Sequence, residues 1–213
     1  MINRPEFYLF LIFIVSYLLG SFPTAFLIIK RYSGQDIKKV GTGNVGAMNV
    51  QRATGKIHLF LLTFLIDAGK AVLAIIIAQK FSYLGYDLNA GVTVAAFGAV
   101  LGHCFPVYLK FHGGKAIASL IGILALLNFQ WLLLPWVGVI VISILATGYL
   151  FLGQFMGTIF LPVIGYFLAP EYFLLCVLVA TPVFIKQWPR FIPMLRGQEP
   201  KWYWKLSKNK KNG

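Results

Sequence analysis

The sequence predicts an all-α, polytopic membrane bundle of about seven transmembrane helices. Three observations carry that prediction. Of 213 residues, 59% are hydrophobic and only 12% charged, with a mean hydropathy of +0.78, which leaves too few polar groups to coat a soluble globule. Apolar stretches near 7–29, 57–79, 91–109, 131–146, 150–168 and 171–187 approach the roughly 20 residues that cross a bilayer as a helix. The cationic residues collect in a few short segments between those stretches.

In chain order, the first stretch, Phe7 to Ile29, is longer than the apolar core of a signal peptide and lacks a small-residue cleavage site, so it reads as a retained helix. The second carries Asp67 and Lys70, three residues apart and hence on one helical face. Isolated charges inside a span cost about 2.5–3.5 kcal/mol each on insertion scales, so the two are expected to face the bundle or a wet cavity, as a supporting ion pair or with a role in the site. The run from Ile117 to Leu127 is short, beginning after the polar "HGGK" and ending near Asn128. It reads as a short span or a half-helix, and it sets the count at seven or six.

Positive charge decides that count. Lys30, Arg31, Lys38, Lys39, Arg52 and Lys56 fall in the first loop, and Lys186, Arg190, Arg196, Lys201, Lys205, Lys208, Lys210 and Lys211 crowd the end. Both segments belong on the cytoplasmic side by the positive-inside rule. Only an odd number of spans allows that, with the N-terminus outside and the C-terminus cytoplasmic. Without an internal repeat or composition break, residues 1–213 read as one membrane domain with a basic tail from about 187.

Composition also bounds the partners. Nineteen Lys and Arg against six Asp and Glu point to an anionic partner. The hydropathy excludes nucleic acid, leaving membrane lipids and small phosphorylated anions. Cys104 and Cys176 lie in apolar runs, and neither they nor the three histidines have metal-ligand spacing, so no metal and no cofactor is expected.

Two polar islands carry the chemistry. "GTGNVGAMNVQRATGK", Gly41 to Lys56, offers a glycine-rich backbone whose amides can turn toward an anion, with Arg52 able to grip phosphate in bidentate fashion. A plain glycine-rich turn between helices is the alternative for this segment. "GHCFPVYLKFHGGKAIAS", Gly102 to Ser119, sets Gly113, Gly114 and Lys115 just before a helical run, whose electropositive N-terminus suits phosphate. It is not a nucleotide P-loop, because Tyr108 stands at the first glycine position and Ala116 at the magnesium-binding hydroxyl. His103 is a candidate general base, set against the commoner structural role of a lone histidine. No histidine is followed five residues later by aspartate and no GxSxG motif occurs, so an acyl donor would have to be reactive by itself.

The blocks "GSFPTAFLI" from Gly20, "GTGNVGAMNVQRATGK", "DAGKA" from Asp67 and "GHCFPVYLKFHGGKAIAS" together resemble the bacterial acyl-phosphate glycerol-3-phosphate acyltransferase family, PlsY, over most of the chain. The resemblance implies a seven-helix enzyme of the bacterial inner membrane with its site facing the cytoplasm. It would transfer a fatty acyl group from acyl phosphate to the sn-1 hydroxyl of glycerol 3-phosphate, giving lysophosphatidic acid and phosphate. On that reading Thr42, Arg52, Lys115 and His103 are catalytic, and Gly43, Asn44, Asn49, Lys110, Gly113, Gly114 and Ser119 bind substrate phosphate. A contact with the acyl-phosphate synthase is a further implied partner.

The chain departs from the family near its end, where an Arg-His pair followed three residues later by Asn is replaced by Lys186, Gln187 and Arg190, with Pro189 between. A non-catalytic paralogue is therefore one alternative. A transporter or flippase of a phosphorylated lipid or anion is another, since half-helices aimed at anions serve both chemistries.

Overall fold

The computed structural model describes residues 5–198. Glu199 and the lysines of the tail from Lys201 onward lie outside the described residues. The helices are α1 (Pro5–Ser21), α2 (Thr24–Ser33), α3 (Ala47–Thr54), α4 (Ile57–Lys80), α5 (Leu88–Cys104), α6 (Ile117–Asn128), α7 (Leu134–Thr147), α8 (Leu150–Leu168) and α9 (Phe173–Leu195). No strand occurs among the described residues.

Six helical stretches among these residues are long and apolar enough to cross a membrane. One of them runs from Ile117 to Thr147 and contains both α6 and α7. At Asn128 the backbone is extended (φ −159°, ψ 90°), and a π-helical turn over Phe129–Leu133 leads into α7. Counting α6 as its own segment gives seven. Asn128 marks the break because its side chain accepts a hydrogen bond from the Trp131 amide, 2.9 Å away, and so competes with helix continuation.

Large apolar side chains cover much of the exterior, while several polar and charged groups are buried among an apolar core. Leu145 is 79% exposed and Phe167 72%, whereas Thr63, Asp67, Lys70, His103 and Ser119 are buried. Lipid is the solvent that permits this, since burying tails against tails gains little while polar side chains must find partners inside.

Two compact units divide the chain, Met1–Leu127 and Asn128–Gly213. In the first, α1 packs on α5, and both lie against α4. Small residues make the approach close: a Cβ at Gly20 would overlap the Ala99 carbonyl, and one at Gly102 the Tyr17 carbonyl. The Tyr17 hydroxyl then donates to the Phe105 carbonyl at 2.8 Å, tying α1 to the end of α5. On α4 the buried positions Thr63, Asp67, Lys70, Ala71, Ala74, Ile75 and Ala78 recur at helical spacing and form one stripe. In the second unit α8 packs against α7 and α9, with stacked rings at Phe155–Phe191 (4.7 Å) and Phe155–Phe184 (5.5 Å).

The first apolar stretch is not the single helix expected over 7–29. It breaks at Phe22–Pro23, because Pro23 has no amide to continue the ladder. The Phe22 carbonyl, outside the helical ladder, accepts from the Thr24 amide at 3.0 Å and keeps a second lone pair for another donor.

Candidate active site

The first polar island folds into a loop and the short helix α3 because Asn49 organises it from below. Asn49 is 1% exposed. Its amide nitrogen donates to the carbonyls of Val40 (3.0 Å) and Ile37 (3.3 Å), while its oxygen accepts from the Thr42 amide (2.8 Å) and the Thr42 hydroxyl (3.2 Å). Gly41 and Gly43 flank Thr42 with φ of 59° and 70°, a region other residues enter only with strain. The loop rests on an apolar cluster of Ala25, Ile29, Ile37, Val45, Val50 and Leu109. Arg52, one turn beyond Asn49, is exposed in the last turn of α3.

The second island leaves α5 at His103 and turns sharply before α6. Lys110, Phe111 and Ala116 all have positive φ (54°, 63° and 54°), an uncommon concentration of left-handed backbone in non-glycine residues. Such strain persists only where the surroundings enforce it, and it clusters at functional turns. The Gly114 amide donates to the His103 carbonyl at 3.1 Å. Ala116 precedes the first helical residue of α6 and has no side-chain acceptor, so it cannot cap the amides there as Ser or Asp would.

The two islands meet. A Cβ on Gly114 would overlap both the Val45 carbonyl oxygen of the first island and His103 Nε2. One on Gly113 would overlap the His103 carbonyl and Pro106. Only glycine lets these backbones touch.

Behind the turn lies the ion pair. Asp67 Oδ1 and Lys70 Nζ are 2.8 Å apart, at 3% and 7% side-chain exposure, and His103 Nδ1 lies 3.7 Å from the same carboxylate oxygen. Lys70 also donates to the Phe22 carbonyl at 3.1 Å. The helix break thus supplies the acceptor that, with Asp67, keeps this ammonium tolerable inside the bundle. Ser119 is fully buried, and its hydroxyl donates to the Asp67 carbonyl at 3.0 Å. Gly122 allows α6 to sit on α4 at that point, since a Cβ there would lie 2.7 Å from the Ala68 carbonyl.

These contacts sort the expected residues. Thr42, Gly43, Asn44, Arg52, Lys110, Gly113, Gly114 and Lys115 lie on the two islands, which touch at Val45 and Gly114. The polar atoms of Asn49 and Ser119 are engaged with backbone, and both residues are buried, so they stand as supports beneath the islands. Ser21 and Thr24 escaped the sequence reading. Both are buried beside the ion pair, in a cavity lined also by Asp67, Lys70, His103 and Gly113. The available signal was the pair of hydroxyls bracketing a proline inside an apolar run.

In the second unit, Gln187 is fully buried. Its amide nitrogen donates to the Thr158 hydroxyl at 3.1 Å. Among the described residues no group of three metal-ligating side chains comes together.

Residues 10–197 match the glycerol-3-phosphate acyltransferase family. The chain belongs to that family. It is 37% identical over 195 residues to the glycerol-3-phosphate acyltransferase of Wolbachia pipientis wMel, covering 91% of this chain and 98% of that one. Against the protein of the same description from Prochlorococcus marinus strain MIT 9312 it is 35% identical over 195 residues, covering 90% and 96%. The fold is similar to crystal structures of PlsY, an integral membrane glycerol 3-phosphate acyltransferase. The glycerol 3-phosphate form matches with a TM-score of 0.79 at 27% identity, covering 93% of this chain and 98% of that one. The lysophosphatidic acid form matches with a TM-score of 0.76 at 26% identity, covering 91% and 95%.

Proposed function

We propose that this integral membrane acyltransferase joins the acyl group of an acyl phosphate to the sn-1 hydroxyl of glycerol 3-phosphate at the cytoplasmic face of the bacterial inner membrane. The contact of Gly114 with the Val45 carbonyl carries the reading, because it puts two cationic, glycine-rich islands side by side. Each island takes one phosphoryl group. Thr42, Asn44 and Arg52 hold one, and Lys115 with the Gly113 amide holds the other, with Lys110 beside them, while Gly43 and Gly114, whose amides donate to the Val40 and His103 carbonyls, shape the two turns. Asn49 and Ser119 keep those elements in place from beneath.

The hydroxyl oxygen of glycerol 3-phosphate attacks the acyl carbonyl carbon, and the carbon–oxygen bond to phosphate breaks. The electron pair leaves on inorganic phosphate. An acyl phosphate is a mixed anhydride, so its leaving group removes the need for an enzyme nucleophile, and catalysis reduces to positioning and charge stabilisation. Phosphate is the proton acceptor favoured in this reading, because His103 is buried behind the turn. The acyl tail has a place to lie in an apolar groove of about 500 Å3 lined by Val15, Leu18, Leu19, Phe22, Lys70 and Tyr108, within the size range of ligand clefts.

The excess of lysine and arginine in the first loop and after α9 supports a cytoplasmic site, an external N-terminus and a cytoplasmic C-terminus. The family match runs through both compact units, which supports reading residues 1–213 as one acyltransferase domain. Membrane lipids surround it, and the acyl-phosphate synthase is a partner that would deliver the donor.

The test is formation of lysophosphatidate by purified protein in detergent from hexadecanoyl phosphate and radiolabelled glycerol 3-phosphate. Lys115→Ala and Arg52→Ala are each expected to lower kcat by about 100-fold or more, the usual loss when one preorganised charge donor is removed. Near-normal turnover by both variants would refute the assignment. No product from the unmodified chain would favour a non-catalytic relative, for which Gln187 at the family's histidine position is the relevant observation.

A further inference from the structure

Ser21 and Thr24 stand on either side of the break between α1 and α2, 0% and 3% exposed. Neither hydroxyl has a hydrogen-bond partner among the described residues. A buried hydroxyl without a partner is an expensive feature to keep, and two in adjoining positions call for a common explanation. Both residues line one cavity of about 10 Å3, together with Asp67, Lys70, His103 and Gly113. That is room for about one water, which needs two to four polar partners to be held inside a protein.

We propose that Ser21 and Thr24 are positioning residues for acyl transfer, which hold a bound water that links the helix break to the Asp67–Lys70–His103 cluster and so fixes the Gly113–Gly114 turn. This rests on the acyl-transfer reading of the site. The water accepts from one hydroxyl and donates toward the Asp67 carboxylate, while the second hydroxyl completes its shell. The imidazole of His103 is then fixed from both sides. Asp67 lies 3.7 Å from Nδ1, and the Gly114 backbone packs so closely against Nε2 that a Cβ would not fit. A rotation of the ring would therefore displace Gly114 and, next to it, Lys115. The same break orients the Phe22 carbonyl onto Lys70 at 3.1 Å, so both ends of the ion pair are referred to one interrupted helix. Neither hydroxyl touches a reacting atom. They act through His103 on the turn that binds phosphate.

The experiment compares Thr24→Val, which keeps the shape and removes the hydroxyl, with Thr24→Ser, which keeps the hydroxyl, and adds Ser21→Ala with each. Two readouts are taken on purified protein. One is kcat and KM for both substrates. The other is the imidazole 15N signal of His103, assigned in a His58→Gln, His112→Gln background. Ser21→Ala with Thr24→Val is expected to lower kcat about 10-fold or more, the scale on which small misplacements act, with both KM values within about twofold of the unmodified chain, and to shift the His103 signal. Thr24→Ser alone is expected to retain both kcat and the signal. An unmoved kcat, or a lowered kcat with an unmoved His103 signal, would overturn the proposal. Should the double variant fail to fold, Thr24→Val against Thr24→Ser decides by the same two measurements. Absence of product from the unmodified chain would sink the acyl-transfer reading instead, while the His103 signal still reports on the water link.

Discussion

Removing the Asp67 carboxylate is the most demanding perturbation of the architecture of the first unit. In Asp67→Leu the Lys70 ammonium remains at 7% side-chain exposure, with the Phe22 carbonyl at 3.1 Å and no counter-charge on α4. Breaking a buried ion pair by deleting one partner typically costs about 3–5 kcal/mol, because the surviving charge keeps its desolvation penalty. For a chain of this size that corresponds to a fall in thermal midpoint on the order of 10 °C. Lys70→Met should cost a similar amount, since it leaves the carboxylate buried.

The double variant Asp67→Leu, Lys70→Met carries neither charge, and replacing a buried pair by apolar residues of similar size is often neutral or stabilising. Its midpoint should recover most of the loss, giving an interaction energy of several kcal/mol around the cycle, beyond the roughly 0.5–3 kcal/mol usual for neighbours. Thermal unfolding in detergent, followed by tryptophan fluorescence and loss of monodisperse protein, measures all four corners. Acyl transfer should stay low in the double variant even with the midpoint restored, because His103 loses the carboxylate 3.7 Å from Nδ1. Two single variants with the unmodified midpoint would show that the ammonium reaches water, and the account of a desolvated pair would fall.

Three further outcomes are expected. Gly114→Ala should abolish turnover, by about 100-fold or more, because its Cβ meets the Val45 carbonyl, which is backbone and cannot swing away; a steady-state assay at saturating substrate checks it. Gln187→Leu should change the thermal midpoint by no more than about 1 kcal/mol allows, since Thr158 still donates to the Gln154 carbonyl at 2.9 Å and the change removes a Gln187 oxygen that has no partner among the described residues. Burial, with a smaller push from Tyr83, raises the Tyr86 phenol above its usual pKa of 10.0. Its neutral form donates to the Ala78 carbonyl. The folded state therefore holds that proton more tightly than the unfolded one, so the contribution is complete below pH 10 and is lost as pH rises through the folded value. Tyr86→Phe should flatten that alkaline decline in stability.

Much of this was legible because it depends on short-range spacing. Asp67 and Lys70 face one another because a helix puts residues three apart on one face, and the cost of charge in lipid demands that they pair. Gly113 and Gly114 before an apolar run likewise marked the start of a helix, but their close approach to His103 and Val45 was not read from the sequence. What was not legible depends on contacts between distant segments. Asn49 and Ser119 have the chemistry of phosphate ligands, yet Asn49 bonds the carbonyls of Ile37 and Val40 and Ser119 that of Asp67, 52 residues away. Pro23 was visible, but a proline inside an apolar run is compatible with a kinked span as well as with a full break. The break became certain only with Lys70 on the Phe22 carbonyl.

The distribution of carboxylates explains why such a site calls for phosphates. In the first unit Asp36 accepts from the Lys38 amide at 2.9 Å and pairs with its ammonium at 3.6 Å. Asp87 caps α5 through the Ala90 amide at 2.8 Å, and Asp67 answers Lys70. These three aspartates are thus committed to local structure, while the formal net charge of the chain is +13. Two glycine-rich segments bring Arg52, Lys110 and Lys115 to adjoining turns, where part of that excess positive charge is concentrated. A reaction in which both substrates arrive as phosphate anions, and whose transition state keeps both phosphoryl groups, answers that excess without a protein nucleophile. A neutral acyl donor would leave one of the two islands without its anion.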